Sequence, residues 1–123
     1  MDNPGLGRKV LDFVTEHPKQ FDMDDWGRET DCGTVGCLAG HTMLQAGYEI
    51  RDFVYLRPDG SRVGDHAREA ASLLGLTEVD RFGEFDDLTT GCLFSSRQPA
   101  DEALARFRSI VEASEAAKAV SDA

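Results

Sequence analysis

The first regular hydrophobic pattern lies near the N-terminus and has the spacing of a helix. Apolar residues recur every three or four positions at Leu6, Val10, Phe13 and Val14. This spacing places them on one face of a helix, and Pro18 then ends the pattern. We therefore predict an amphipathic helix from Leu6 to Glu16.

A second helix is predicted over residues 34–46. Thr34 can cap its start with a side-chain oxygen, and Gly47 is typical of the residue that follows a helix. The first half contains three small residues, Gly36, Ala39 and Gly40. Because small side chains let neighbouring backbones come close, we expect this helix to lie at the centre of the fold.

The middle of the chain carries the pattern of a β-hairpin. Apolar residues 53–56 precede Asp59-Gly60, a dipeptide typical of tight turns between two strands, and Val63 follows. An isolated two-stranded ribbon is marginally stable in water. We therefore expect this single hairpin to pack against the helices.

The C-terminal half predicts three further helices, over residues 65–74, 77–88 and 99–112. Asp65 and Thr77 are typical capping residues, and Pro99 suits a first turn. Residues 113–123 are rich in alanine and poor in large apolar side chains, so we expect them to fray. The predicted fold is mainly α: about five helices around a central small-residue helix, with one short β-hairpin. It forms a single domain over residues 1–112.

Composition narrows the function classes. The 123 residues, 41% of them hydrophobic, suffice for one core. A net charge of −10 repels a phosphate backbone and therefore disfavours nucleic-acid binding. No apolar run is long enough to span a membrane, and no secretion signal is present at the N-terminus, so we expect a cytoplasmic protein without membrane association.

One cluster of cysteine, glycine and histidine could support chemistry. Cys37 and His41 are four residues apart on one face of the predicted helix, and Cys32 precedes that helix. Thiolates and imidazoles are ligands that Zn²⁺ prefers, so these three residues are a candidate zinc site. Their spacing matches none of the well-defined zinc signatures. The fourth ligand would come from Cys92, His66 or Asp31.

Other interpretations of the cluster stay open. A thiol in the first turn of a helix has a lowered pKa, so Cys37 beside His41 could serve a thiol enzyme or a redox protein. Cys32 and Cys37 could form a disulfide, although three cysteines without a secretion signal favour reduced thiols. The interpretation we favour is architectural, with buried thiols and no cofactor. Its structural motif comprises Trp26, Cys32, Gly33, Thr34, Cys37 and Gly40.

The same region resembles a family of small uncharacterised proteins from bacteria and their phages. Residues 17–26 fit the family pattern His-Pro-x-x-Phe-Asp-Met-x-x-Trp, and residues 32–40 fit Cys-Gly-Thr-x-x-Cys-x-Ala-Gly. Residues 70–76 are similar to a helix end of the family, and the resemblance spans residues 6–95. It implies a mostly helical domain and assigns no activity.

Function is expected to lie in protein binding rather than catalysis. The sequence contains no phosphate-binding loop and no nucleophile elbow. Residues 77–102 carry seven acidic and two basic side chains, with Phe82 and Phe85 among them. We expect a non-enzymatic module, of the phage accessory type, that engages a host protein. Its candidate partner-binding residues are Glu84, Asp86 and Asp87.

Overall fold

A computed structural model describes residues 1–23, 27–30, 33–52, 54–76, 93 and 99–121. These residues contain four α-helices: α1 (Pro4–Glu16), α2 (Leu38–Gln45), α3 (His66–Leu74) and α4 (Ala100–Ser121). A 3-10 helix covers Pro18–Gln20. The strands are β1 (Arg28–Thr30), β2 (Gly33–Val35), β3 (Glu49–Arg51) and β4 (Val54–Leu56). The mainly helical class is thus confirmed. The fifth predicted helix, over residues 77–88, lies outside the described residues.

Local capping explains where α1 and α3 begin and where α3 ends. Asn3 accepts a hydrogen bond from the backbone N–H of Leu6 at 3.2 Å, and a proline opens the helix that it caps. Asp65 caps α3 through the N–H of Arg68 at 3.1 Å, as predicted. Gly75 ends α3 in the left-handed conformation at φ 66°, which glycine adopts without a Cβ clash.

The helices share one apolar core. Helix α1 packs against each of the other three helices, and α2 also packs against α3. The first six residues of α2, from Leu38 to Met43, are all buried, so the small-residue helix lies deep in the fold. Fully buried side chains of the core include Val10, Val14, Leu38, Leu74, Leu93, Phe107 and Val111.

The second predicted helix begins four residues later than expected. Thr34 does not cap it, because residues 33–35 instead pair as β2 with the antiparallel strand β1. Gly36 continues this extended course through a parallel bridge to Phe21, and Cys37 becomes the N-cap residue. Backbone pairing with β1 and with Phe21 therefore prevails over the local preference for a helix here.

The described residues contain two hairpins rather than the one predicted. In the second, β4 pairs with β3, and the tight turn between them includes Asp52 at φ 52°. The predicted Asp59-Gly60 turn is also present, but it closes only a single bridge between Leu56 and Arg62. This half of the protein has its own small core of Met43, Ile50, Tyr55 and Val63.

The last helix extends beyond the expected end of the domain. Residues 113–121, for which we expected fraying, continue α4, and Glu115 receives two hydrogen bonds from the guanidinium of Arg8. Within the described segments, no helix is both long and apolar enough to cross a membrane.

Candidate functional site

The candidate site lies where α2 begins. Cys37 holds the N-cap position in extended conformation, and its carbonyl accepts the backbone N–H of His41 at 2.9 Å. Cys37 and His41 are each only 1% exposed. Cys37 thus directly precedes α2 and His41 lies within it, and both side chains are buried in the core.

Other residues of the predicted motif are distributed along the chain. Gly33 and Thr34 lie in β2, and Gly40 is buried within α2. The remaining motif residues, Trp26 and Cys32, lie outside the described residues, as does Cys92. The same holds for the predicted partner-binding acids and their aromatic neighbours: Phe82, Glu84, Phe85, Asp86 and Asp87.

The imidazole of His41 makes one specific hydrogen bond. Its Nε2 lies 2.5 Å from the backbone carbonyl oxygen of Gln20. Since a carbonyl oxygen only accepts, Nε2 must carry the hydrogen, and Nδ1 is left with a lone pair. Nδ1 is buried and has no hydrogen-bond partner among the described residues. The ring is thus held in one tautomer by a backbone group for which the sequence carries no signal.

The segment around Gln20 also pairs with Gly36, the residue before Cys37. The carbonyl of Gln20 accepts a second hydrogen bond, from the N–H of Gly36 at 2.9 Å, and the N–H of Asp22 donates to the Gly36 carbonyl at 2.9 Å. We call the carbonyl of Gln20 with its two donors, Gly36 and His41, the Gln20 junction. It joins the two halves of the sequence motif into one architectural unit.

The surroundings of His41 disfavour its charged form. Burial lowers the pKa of His41 below its ordinary value, and the hydrogen bond to Gln20 opposes this effect only in part. The nearby charge of His17 lowers the pKa further. The Phe13 ring lies between the two histidines, stacked on His17 at 4.4 Å and tilted against His41 at 5.1 Å between centroids.

The described backbone that leads into Cys37 is extended, and Cys32 lies outside the described residues. Residues 33–35 form a strand, Gly36 is bridged, and Cys37 is extended. At about 3.3 Å per residue, this course separates the Cα atoms of Gly33 and Cys37 by about 13 Å. The zinc and disulfide interpretations of Cys32 and Cys37 therefore stay predictions, because the structure describes only Cys37 of the pair. Where the structure describes the chain, no three His, Cys, Asp or Glu side chains converge as a metal site would require.

A polar network that the sequence analysis missed ties the second hairpin to α3. Glu69 accepts two hydrogen bonds from the Arg57 guanidinium, at 2.8 and 3.0 Å, and one from the Tyr48 hydroxyl at 2.5 Å. These bonds lower the pKa of Glu69, while burial and the same carboxylate raise the pKa of Tyr48 to about 12. The three residues are far apart in sequence, so no local motif could have predicted them.

Two open clefts lie at the surface. A groove of about 650 Å³ runs between the N-terminal residues and α4, beside Met1, Pro4, Ile110 and Lys118. A smaller cleft of about 340 Å³ is lined by residues 16–20. Neither cleft is lined by Cys37 or His41.

Comparisons with known proteins do not extend this description. No family model matches the chain, and neither a curated protein nor a solved structure is similar to it.

Proposed function

We propose that the chain is a non-enzymatic protein-binding module that works without a cofactor. It acts in the cytoplasm as a phage-type accessory protein and engages a protein of the host cell. The observation that carries the non-enzymatic part is the burial of Cys37 and His41, each 1% exposed. These were the residues with the strongest claim to chemistry in the sequence.

Burial counts against catalysis because a nucleophile or a base must reach the reacting atom. A general base works within hydrogen-bond distance of the proton it removes, and a thiol must contact the group it attacks. Cys37 packs within the main apolar core, and the Nε2 of His41 is already bonded to the carbonyl of Gln20. Both side chains therefore suit packing better than thiol or redox chemistry.

The binding part of the proposal is supported by charge. The net charge of −10 and the acidic excess of residues 77–102 suit a partner with a basic surface. Phe82 and Phe85 stand among these acids in the sequence, and interfaces are enriched in aromatic residues. We propose that Glu84, Asp86 and Asp87 contribute charge to this interface.

The test compares two variants with the same net charge. One neutralises the proposed surface with Glu84→Gln, Asp86→Asn and Asp87→Asn. The control neutralises three exposed acids outside residues 77–102 with Glu16→Gln, Asp52→Asn and Glu112→Gln. Wild type and both variants are immobilised and challenged with host lysate, and the captured proteins are identified by mass spectrometry at low and high salt.

The proposal requires one partner that wild type and the control variant retain and the first variant loses. Its capture should also weaken with salt, because exposed charges are screened. Equal loss from both variants would mean that only net charge matters. Equal retention by both would contradict the assignment of the surface to Glu84, Asp86 and Asp87.

A further inference from the structure

The tight turn that contains Asp59-Gly60 is closed by backbone hydrogen bonds and faces the solvent. The Gly60 N–H donates to the Arg57 carbonyl at 2.8 Å, and the Arg57 N–H donates to the Ser61 carbonyl at 2.8 Å. Pro58 suits the second position of such a turn, and Gly60 has a φ of 88°, which glycine adopts without strain. The residues between Arg57 and Ser61 are all exposed. The turn is therefore open to water and is held by its own hydrogen bonds.

Asp59 is the only aspartate of the chain that a glycine follows, and this pair of residues can close a ring on itself. The backbone nitrogen of Gly60 attacks Cγ of Asp59. A C–N bond forms, and the carboxyl OH leaves with the amide hydrogen as water. A second water molecule then opens the five-membered ring. Attack of this water on the main-chain carbonyl carbon gives isoaspartate, whereas attack on the former side-chain carbon restores aspartate.

Glycine favours this ring closure because it places no side chain beside the attacking nitrogen. A Cβ atom at residue 60 would meet nothing within 4 Å, so no neighbouring group fills the space on that side of the turn. Neither bulk nor burial therefore protects Asp59-Gly60. What restrains the reaction in the folded protein is the set of hydrogen bonds around the two residues.

Hydrogen bonds engage both reacting groups. The Gly60 N–H, whose hydrogen must leave, is bonded to the Arg57 carbonyl. Asp59 Oδ1 accepts the Ser61 N–H at 2.8 Å and the Ser61 hydroxyl at 2.6 Å. The bonds from Ser61 favour the charged carboxylate and lower the pKa of Asp59, whereas loss of water requires the protonated acid. The closed turn therefore holds Asp59 in its unreactive form.

The Arg57 side chain ties this turn to α3. Its Nη1 donates to the Ser61 hydroxyl at 3.1 Å and to the Arg62 carbonyl at 2.9 Å. Its Nε and Nη2 donate to the Glu69 carboxylate at 3.0 and 2.8 Å. We call Arg57 with these three partners the Arg57 clasp. Release of the clasp frees the turn to open while the helices stay packed.

We propose that Asp59-Gly60 is a site of isoaspartate formation and that the Arg57 clasp restrains the reaction. The modification proceeds from turns that have opened locally, so its rate follows how often the clasp is released. Isoaspartate adds one CH2 group to the main chain and removes the side-chain carboxylate that Ser61 contacts. A turn that has reacted therefore no longer closes. This inference is independent of protein binding, because it concerns a reaction within the chain and not the acidic surface.

Peptide mapping after incubation of the purified protein at neutral pH measures the reaction. The isoaspartate peptide has the mass of the original peptide but elutes separately, and protein isoaspartate methyltransferase labels it. In guanidinium chloride the Asp59 peptide should accumulate isoaspartate much faster than the peptides of Asp12 and Asp52, which phenylalanine follows. In the native protein the reaction at Asp59 should be at least about tenfold slower than in the unfolded chain.

Three variants assign the protection to the clasp. Arg57→Gln releases it, and Ser61→Ala removes the hydroxyl that contacts Asp59 while leaving Arg57 bonded to Glu69. Both should raise the native rate severalfold relative to the rate of the same variant in guanidinium chloride. The matched control is Arg62→Gln, which changes an exposed side chain and keeps the carbonyl that Arg57 contacts. It should react at the wild-type rate.

The outcomes decide separately on the site and on its protection. Absence of isoaspartate at Asp59 in the unfolded chain would overturn the site, and equal native and unfolded rates would overturn its protection. Equal acceleration by Arg57→Gln and Arg62→Gln would show that charge, and not the clasp, controls the rate. If Arg57→Gln loses its helical circular dichroism signal, Ser61→Ala decides. A native rate of that variant equal to the wild-type rate would overturn the clasp.

Discussion

Gly27 lies directly against the phenol of Tyr55, a fully buried side chain at the centre of the second core. A Cβ atom at residue 27 would collide with the Tyr55 hydroxyl and would come within 2.7 Å of Ile50 Cδ1. The glycine is thus required by packing, because a backbone that approaches a buried ring this closely leaves no space for a side chain.

Gly27→Ala should therefore destabilise the protein by about 1–3 kcal/mol, as overpacking of a core typically does. The matched control is Gly64→Ala, where a Cβ would meet nothing within 4 Å. Urea unfolding of both variants measures the difference. Equal midpoints for the two variants would show that the Tyr55 pocket yields to the extra methyl group.

Cys37 should be unreactive in the folded protein, because its side chain is 1% exposed. Alkylation of Cys37 requires the structure to open. Its rate in the native protein should therefore be at least about a thousandfold lower than in the urea-unfolded protein. Peptide mapping after iodoacetamide treatment measures the rate at Cys37 separately from the other cysteines. Rapid modification of Cys37 in the native protein would revive the thiol-enzyme interpretation.

The hydrogen bonds that Glu69 accepts from Arg57 and Tyr48 should make the stability of the folded protein depend on pH. Its pKa is lowered from the ordinary 4.5, chiefly by the hydrogen bonds from Arg57 and then Tyr48. A carboxyl with a lower pKa in the folded state contributes stability above its unfolded pKa and loses it as pH falls through the folded value. Glu69→Gln should lower the Tm by several degrees at neutral pH and flatten its decline below about pH 4.5.

Thermal unfolding between pH 7 and pH 3 checks this expectation. Glu112→Gln removes an exposed carboxylate from α4 and serves as the control, with a pH profile close to that of wild type. A Glu69→Gln profile parallel to that of wild type would contradict the role assigned to the network.

Truncation after Glu112 should remove helix without unfolding the domain. Residues 113–121 continue α4, so the far-UV circular dichroism signal at 222 nm should decrease. The loss of stability should be small and should shrink with salt, because the Arg8 and Glu115 side chains that the truncation separates are 35% and 37% exposed. Glu115→Gln alone should reproduce the effect on stability but keep most of the helical signal. An unchanged signal after truncation would mean that this segment frays in solution, as its composition predicted.

Much of the helical framework was predictable because its signals are local. The capping role of Asp65 and the apolar spacing of α1 depend on residues within a few positions of each other. The start of α2 was not predictable in this way. Thr34 is a favourable capping residue, yet its backbone pairs with β1. The residues of β1 show no alternation of apolar and polar side chains, so the sequence contained no sign that this segment is a strand.

The candidate site was likewise predictable from the sequence only in part. Spacing predicted Cys37 and His41 on one helix face, whereas the structure makes Cys37 the extended N-cap and places only His41 within α2. It could not indicate that the hydrogen-bond partner of His41 is the carbonyl of Gln20, because every residue carries a carbonyl group. The interpretation that the sequence analysis favoured, with buried thiols, agrees with the 1% exposure of Cys37.

By itself, the sequence determined the helical class, the acidic charge and the Asp59-Gly60 turn, all of which follow from side-chain type and short-range spacing. Only the tertiary structure decided that the 18–22 segment and the start of α2 share one carbonyl, that Gly27 makes room for Tyr55, and that Arg57, Tyr48 and Glu69 meet. These contacts join residues far apart along the chain. Such contacts form only when the whole core packs, so no local pattern encodes them.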